Sequence, residues 1–263
     1  MSTLDNETLK AAVRETYGQI ASGKTTAGCC SGVGCCGPAP GPTSDGIGYS
    51  DEERQNVPEG ADLGLGCGNP QAIAELQEGE RVLDLGSGAG FDAFLAARQV
   101  GPRGVVIGVD MTAEMVAKAR ANMLKTDIQN VAFRLGEIEH LPVADASVDV
   151  IMSNCVINLS TDKPSVFREA FRLLSPGGRL SIADIVTVTD LPSSVRDDLA
   201  GYAGCVAGAA LVSDVVGMLN DAGFQDVVVD VRPESRERGP VTEEAPAIQN
   251  LIASALIRAK KPF

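Results

Sequence analysis

Seven cysteines, a single histidine and one glycine-rich loop hold most of the chemistry in this 263-residue sequence. The loop reads Val82-Leu-Asp-Leu-Gly-Ser-Gly-Ala-Gly-Phe-Asp92. A short apolar run carries Asp84, three alternating glycines follow, and a helical pattern starts at once. Strand, Gly-rich turn and helix in that order open a nucleotide pocket at the C-terminal edge of a doubly wound sheet. Gly86, Gly88 and Gly90 spell G-x-G-x-G, whereas the dinucleotide fingerprint is G-x-G-x-x-G. Asp84 stands two residues before the first glycine, where a carboxylate repels a pyrophosphate and attracts an ammonium group. S-adenosylmethionine (SAM) matches that charge, because it carries an amino acid, a sulfonium and a ribose but no phosphate. Asp110 ends the next apolar run, 105–109, and is spaced to accept hydrogen bonds from both ribose hydroxyls. The competing readings are a βα turn without a nucleotide and a dinucleotide oxidoreductase. The agreement of the glycines, Ser87 within the loop, Asp84 and Asp110 favours SAM.

The cysteines are Cys29, Cys30, Cys35, Cys36, Cys67, Cys155 and Cys205. With His140 as the one imidazole, any soft-ion site must be built from thiolates. The net charge of −13 argues against nucleic acid or an anionic membrane as partner. No apolar run is long enough to span a bilayer, and the opening residues lack the pattern of a secretory signal. The expected location is the cytoplasm, where structural disulfides are rare and metal, catalytic or redox roles gain weight.

The elements that must position these groups follow an α/β alternation. Strands are expected at 81–85, 105–109, 131–135, 148–153 and 179–186, and helices at 90–99, 112–125 and 163–174. That order predicts a mostly parallel, doubly wound sheet with helices on both faces. Further helices are expected at 5–21, 71–77 and 213–222, closing strands at 227–231 and 253–258, a turn at 175–178, and loops at 22–48 and 233–246. Three stretches result. Residues 1–79 form an N-terminal helix and a cysteine-rich segment covering the site. Residues 80–190 form the SAM-binding core. Residues 191–263 hold an insertion after the fifth strand and the closing strands.

In such a sheet Cys155 follows the fourth strand at the ligand-binding edge. Cys205 lies in the insertion, which can fold over that edge, and Cys67 lies in a glycine-rich segment just before the first strand. Three thiolates around one point trap a thiophilic trivalent centre. Arsenite meets that need, and its lone pair is the nucleophile that can attack a sulfonium methyl. The bland alternatives are core cysteines for Cys155 and Cys205, and structural zinc for Cys29-Cys-Ser-Gly-Val-Gly-Cys-Cys36.

The motifs Gly64-Leu-Gly-Cys-Gly-Asn-Pro70, Ser153-Asn-Cys-Val-Ile-Asn-Leu159 and Gly204-Cys-Val-Ala-Gly-Ala209 are far more specific than the glycine loop. Through them the chain resembles the arsenite SAM methyltransferases, a branch of the seven-stranded, Rossmann-like class I methyltransferases. The resemblance covers about residues 13–222. It implies that Cys155 and Cys205 hold trivalent arsenic throughout, and that Cys67 joins them for the first substrate. It also implies a disulfide between Cys67 and an N-terminal cysteine, any of Cys29, Cys30, Cys35 or Cys36, with Cys35 and Cys36 counted among the catalytic residues. The implied reaction turns arsenite into methylated arsenicals, a detoxification, with glutathione or thioredoxin as reductant. By position, Met111 packs on the adenine, Glu137 binds its edge by side chain and Ile138 by backbone, Tyr17 closes over the cofactor, and Asn154 belongs to the cofactor pocket. His140 is a loop residue with no role as a base. The runners-up are a methyltransferase of a small organic molecule and a SAM- or metal-binding arsenite sensor.

Overall fold

The computed structural model describes residues 5–24, 44, 47–196, 198–232 and 251–263. Cys29, Cys30, Cys35 and Cys36, most of the expected 22–48 loop and the 233–246 loop lie outside the described residues.

The centre is one sheet in the order β3-β2-β1-β4-β5-β8-β7. Its strands are β1 (Arg81–Leu85), β2 (Val105–Asp110), β3 (Val131–Leu135), β4 (Val148–Asn154), β5 (Leu174–Thr187), β7 (Gln225–Arg232) and β8 (Ile252–Lys260). Strands β1 to β5 pair in parallel, whereas β8 runs antiparallel to both β5 and β7. An eighth, two-residue strand, β6 (Ala210–Leu211), pairs with the end of β5.

The central strands are buried on both faces and so read as continuous apolar runs. Neighbouring residues of β1 serve opposite cores, as the pleat requires. Val82 packs with Phe94 of α4 (Phe91–Val100) and Val116 of α5 (Ala113–Met123). Leu83 and Leu85 join the second core, with Phe167 of α6 (Lys163–Leu173) and Leu219 of α9 (Val212–Asp221). Strand order reverses beside β1: β2 lies on one side and β4 on the other. The register sets Asp84 against Met152 and Leu85 against Ser153. The loops after β1 and β4 therefore leave the sheet side by side, at the switch point where such folds bind ligands.

Helix α1 (Asn6–Ala21) is N-capped by Asp5, whose side chain accepts the Thr8 N–H. It buries Leu9, Val13 and Ile20. Helix α3 (Gln71–Ala74) is shorter than the expected 71–77, because Glu75 adopts a left-handed φ of 50° and ends it. Helix α2 (Asp51–Gln55) was not expected. Its signal is a capping box between Ser50 and Glu53. The expected 175–178 turn is a bulge inside a longer β5: Val148 pairs with Leu174 but Val150 pairs with Arg179. The 191–211 insertion holds α7 (Ser193–Arg196), α8 (Leu199–Ala203) and β6.

Phe167 is 1 % exposed in the core shared by α6 and the sheet. Phe167→Ala is expected to destabilise the chain by roughly 3–5 kcal/mol, through lost transfer energy plus a residual cavity. Denaturant unfolding measures it.

Candidate active site at the sheet switch point

A cleft with about 1100 Å³ of open space lies over the C-terminal ends of β1, β2 and β4. Asp84, Gly86, Ser87 and Gly88 line it from the first loop, and Asp110 and Met111 from the end of β2. Ile138, Asn154 and Cys155 complete the sheet side, while Tyr17 of α1 and Cys205 of the insertion face them.

Asp84 is buried, and its Oδ2 has no hydrogen-bond partner among the described residues. Burial pushes its carboxyl well above the usual range, and the nearby carboxylates of Asp92 and Asp110 push it further. Asp92 and Asp110 are themselves raised, in both cases chiefly by burial. Three crowded carboxylates with an orphaned oxygen are what a cationic ligand relieves. Gly88 sits at φ +52°, and a Cβ there would meet nothing within 4 Å, so the loop leaves open floor. Asp110 accepts the N–H of Gly88 at 3.0 Å and that of Thr112 at 2.8 Å. Each carboxylate oxygen keeps a lone pair for a ribose hydroxyl. These residues fit a ligand that brings a cation and paired hydroxyls, as SAM does.

Two expected contacts change. Glu137 does not line the cleft. Lys10 Nζ reaches it at 2.6 Å and Arg14 Nη2 at 2.5 Å, so α1 takes this carboxylate as an ion-pair partner. The hydrogen bond from Lys10 holds its pKa below the usual range. Its neighbours Ile138 and Glu139 line the cleft instead. Gly90 precedes α4 and faces inward, where a Cβ would stand 2.7 Å from Phe94 and 2.8 Å from Phe133. It serves the packing of loop on helix rather than the cleft wall. His140 is exposed, as expected of a loop residue.

Among the cleft residues that escaped the sequence reading are Lys10, Glu139 and Asp92. Lys10 and Glu139 lie 3.7 Å apart across the cleft rim. Asp92, in the first turn of α4, is buried and accepts from Tyr49 Oη at 2.6 Å, Gln71 Nε2 at 3.0 Å and Asn154 Nδ2 at 3.2 Å. Asn154 reaches the cleft, and it also ties down the 67–68 backbone: its Oδ1 accepts the Cys67 N–H at 3.0 Å, and its Nδ2 donates to the Gly68 carbonyl at 2.9 Å.

Cys155 and Cys205 line the cleft, whereas Cys67 does not. Cys155 and Cys205 are both buried, and both adopt left-handed backbone, with φ of 57° and 65°. That conformation is uncommon for residues other than glycine and clusters at functional sites. Cys205 Sγ lies 3.0 Å from the Cys155 carbonyl oxygen. Leu9, Val13, Leu159 and Tyr202 form an apolar wall around the pair. Cys67 does not pair with an N-terminal cysteine here. It forms a disulfide with Cys155, with Cα atoms 5.5 Å apart, because the Asn154 amide clamps the 67–68 backbone beside the end of β4.

Asp184 anchors the segment after Cys155. It accepts the N–H of Ile157 at 3.0 Å and the side-chain amide of Asn158 at 2.8 Å. Burial pushes its carboxyl up to about 6, against hydrogen bonds and Lys163, which pull it down.

Residues 76–223 match a family model described as a methyltransferase domain. The chain is 48 % identical over 267 residues to an arsenite methyltransferase of Halobacterium salinarum, across 98 % of this chain and 68 % of that protein. It is 38 % identical over 183 residues to the arsenite methyltransferase of Homo sapiens, across 66 % of this chain and 48 % of that protein. It thus spans about two thirds of the first relative and about half of the second. Among solved structures, CrArsM, an arsenic(III) S-adenosylmethionine methyltransferase of Chlamydomonas reinhardtii, is 33 % identical with a TM-score of 0.64, over 82 % of this chain and 71 % of that one. A phosphoethanolamine N-methyltransferase of Haemonchus contortus, solved with SAM, shares the fold at 20 % identity and a TM-score of 0.62, over 76 % of this chain and 54 % of that one. No helix among the described residues is long and apolar enough to cross a membrane.

Asp110→Ala removes two carboxylate acceptors and should weaken SAM binding by roughly 3–6 kcal/mol, since hydrogen bonds to charged groups are each worth about 1.5–3. Calorimetry tests this, and unchanged affinity removes Asp110 from the site. Asp184 gives a pH prediction. Its folded pKa of about 6 exceeds the unfolded value of about 3.9. The unfolded chain therefore loses this proton first. The group's contribution is fully present below about pH 4 and is lost as pH rises through about 6. Wild-type stability minus that of Asp184→Asn should fall by up to about 3 kcal/mol across that window, as read by denaturant unfolding at several pH values.

Proposed function

We propose a function from one premise: this chain belongs to the arsenite methyltransferase family, SAM-dependent enzymes of the class I fold. The proposed reaction is methylation of trivalent arsenic, with arsenic held by cysteine thiolates. The observation that carries it is the meeting of Cys155 and Cys205 in the wall of a cleft that buried carboxylates also line, with Cys67 bonded to Cys155.

SAM, when bound, supplies a methyl group on a sulfonium, with Asp84 facing its ammonium and Asp110 its ribose. Met111 and Ile138 offer apolar contact beside the ribose acid, and Tyr17 covers the cleft from α1. The cysteines act on the substrate. An external thiol, glutathione or thioredoxin, first reduces the Cys67–Cys155 disulfide, giving two protein thiols and one external disulfide. Arsenite then exchanges its three hydroxyls for three cysteine sulfurs and releases three waters. Thiolate donors keep electron density on arsenic, whose lone pair attacks the methyl carbon. Bound SAM, held by Asp84 and Asp110, would supply that methyl as an electrophile, its C–S electron pair leaving on sulfur as the As–C bond forms. Two external thiols then return arsenic to the trivalent state: their sulfurs join as a disulfide, one As–S bond breaks, and their two protons go to the freed cysteine and to solvent. The apolar wall of Leu9, Val13, Leu159 and Tyr202 keeps water from this centre. The supporting share of the protein is orientation, with arsenic, methyl and sulfonium sulfur in line. A role in arsenic detoxification in a reducing compartment follows from this reading.

Purified protein with SAM, thiol and arsenite should yield methylated arsenic by mass spectrometry. Binding of arsenite without product would leave a sensor, and neither binding nor product would turn attention to an organic acceptor. Cys155→Ser or Cys205→Ser should abolish methylation of both arsenite and methylarsenite, because a hydroxyl is a poor ligand for a soft centre. Methylarsenite has only two positions for sulfur, so Cys67→Ser should lose the first methylation and keep much of the second. Replacing Cys29, Cys30, Cys35 and Cys36 together should resemble Cys67→Ser if they reset its thiol. Equal slowing of both substrates by Cys67→Ser would replace the three-thiolate scheme with a structural role.

A further inference from the structure

Tyr49 lies well before the glycine loop, yet it is buried behind two residues of the cleft wall, Asp92 and Asn154. It donates to Asp92 Oδ1 at 2.6 Å and accepts from Asn154 Nδ2 at 2.9 Å. Its ring packs edge-on against Phe91, 4.8 Å between centroids. Burial raises the Tyr49 pKa well above its ordinary value, and the Asp92 charge raises it further, so the phenol stays a donor. The same Asn154 amide holds the backbone on both sides of Cys67, through the Cys67 N–H and the Gly68 carbonyl. Contact is close: a Cβ on Gly66 would stand 2.9 Å from Asn154 Nδ2. The amide therefore has one orientation in which Oδ1 faces Cys67 and Nδ2 faces the acceptors, and the phenol is one of those acceptors.

We propose that Tyr49 is a positioning residue for Cys67: braced by Asp92, its hydroxyl orients the Asn154 amide that clamps the Cys67 loop against the end of β4. One chain of hydrogen bonds thus runs from the wall of the cofactor cleft to the loop of the third sulfur. Tyr49 touches neither substrate nor cofactor in this role. Its effect falls on substrates that need Cys67, which rests on the arsenite reading, and on Cys67 itself, which does not.

The test uses the full chain with Tyr49→Phe, which keeps the ring and removes only the hydroxyl. Gln71→Met is the companion variant. Gln71 donates to Asp92 at 3.0 Å, so this variant also strips a donor from Asp92 while sparing the tyrosine bridge to Asn154. In fully reduced protein, the alkylation rates of Cys67 and Cys205 by iodoacetamide are followed by peptide mass spectrometry. Tyr49→Phe should raise the Cys67 rate several-fold and leave Cys205 unchanged, and Gln71→Met should leave both as in the wild type. The arsenite rate of Tyr49→Phe should fall about tenfold relative to its methylarsenite rate, as expected for one lost positioning contact. An unchanged Cys67 alkylation rate in Tyr49→Phe overturns the proposal, and so does an equal rise in Gln71→Met. Because alkylation needs no turnover, these outcomes stand apart from a failure of wild-type protein to methylate arsenic, which would strike the function instead.

Discussion

The site depends on carboxylates buried at a sheet edge with no ion-pair partner among the described residues. Asp84, Asp92 and Asp110 crowd around the first loop, and burial raises the pKa of all three. Asp92 is relieved by three side-chain donors, and Asp110 by two backbone N–H groups. Asp84 keeps an oxygen with no protein partner among the described residues. A chain that folds around such a cluster bears a desolvation cost that is relieved by protonation or by a cation arriving in the cleft. The fold supplies the means to bear it. Central strands buried on both faces stabilise the edge from below, and the strand reversal beside β1 opens a crevice there.

The same register that places Asp84 beside Met152 delivers Cys155 to the cleft one residue after β4 ends. The buried carboxylate and the cysteine thus owe their proximity to one strand pairing. The remaining walls come from segments distant in sequence. Helix α1 ties the loop after β3 through Lys10 and Arg14 to Glu137, and Tyr17 Oη lies 3.4 Å from the Ala203 carbonyl beside Cys205. One helix therefore touches both the cofactor side and the cysteine side of the cleft.

What could be read from the sequence was what is local. Asp84, the glycines and Asp110 are legible because strand, turn and helix follow one another within about thirty residues, as a βα unit requires. Cys155 was legible because a parallel sheet gathers the ends of its strands. The α2 helix could have been found from Ser50 and Glu53 alone. Glu137 was misread because its partners, Lys10 and Arg14, lie more than a hundred residues away, on a helix whose periodicity shows an apolar face but not what it docks against. Tyr49 and the Asn154 hub were invisible for the same reason: their bonds span 105 residues. The partner of Cys67 was expected among the early cysteines by resemblance, whereas the hydrogen bonds of Asn154 set it beside Cys155.

The central claim of the account is that reduced Cys67, Cys155 and Cys205 take arsenite at one point. X-ray absorption at the arsenic edge, on reduced protein loaded with one equivalent of arsenite, tests it most directly. The account predicts a first shell of three sulfurs and no oxygen, falling to two sulfurs in Cys67→Ser. Arsenic that keeps its oxygens, or a three-sulfur shell that survives the loss of Cys155 or Cys205, would contradict it.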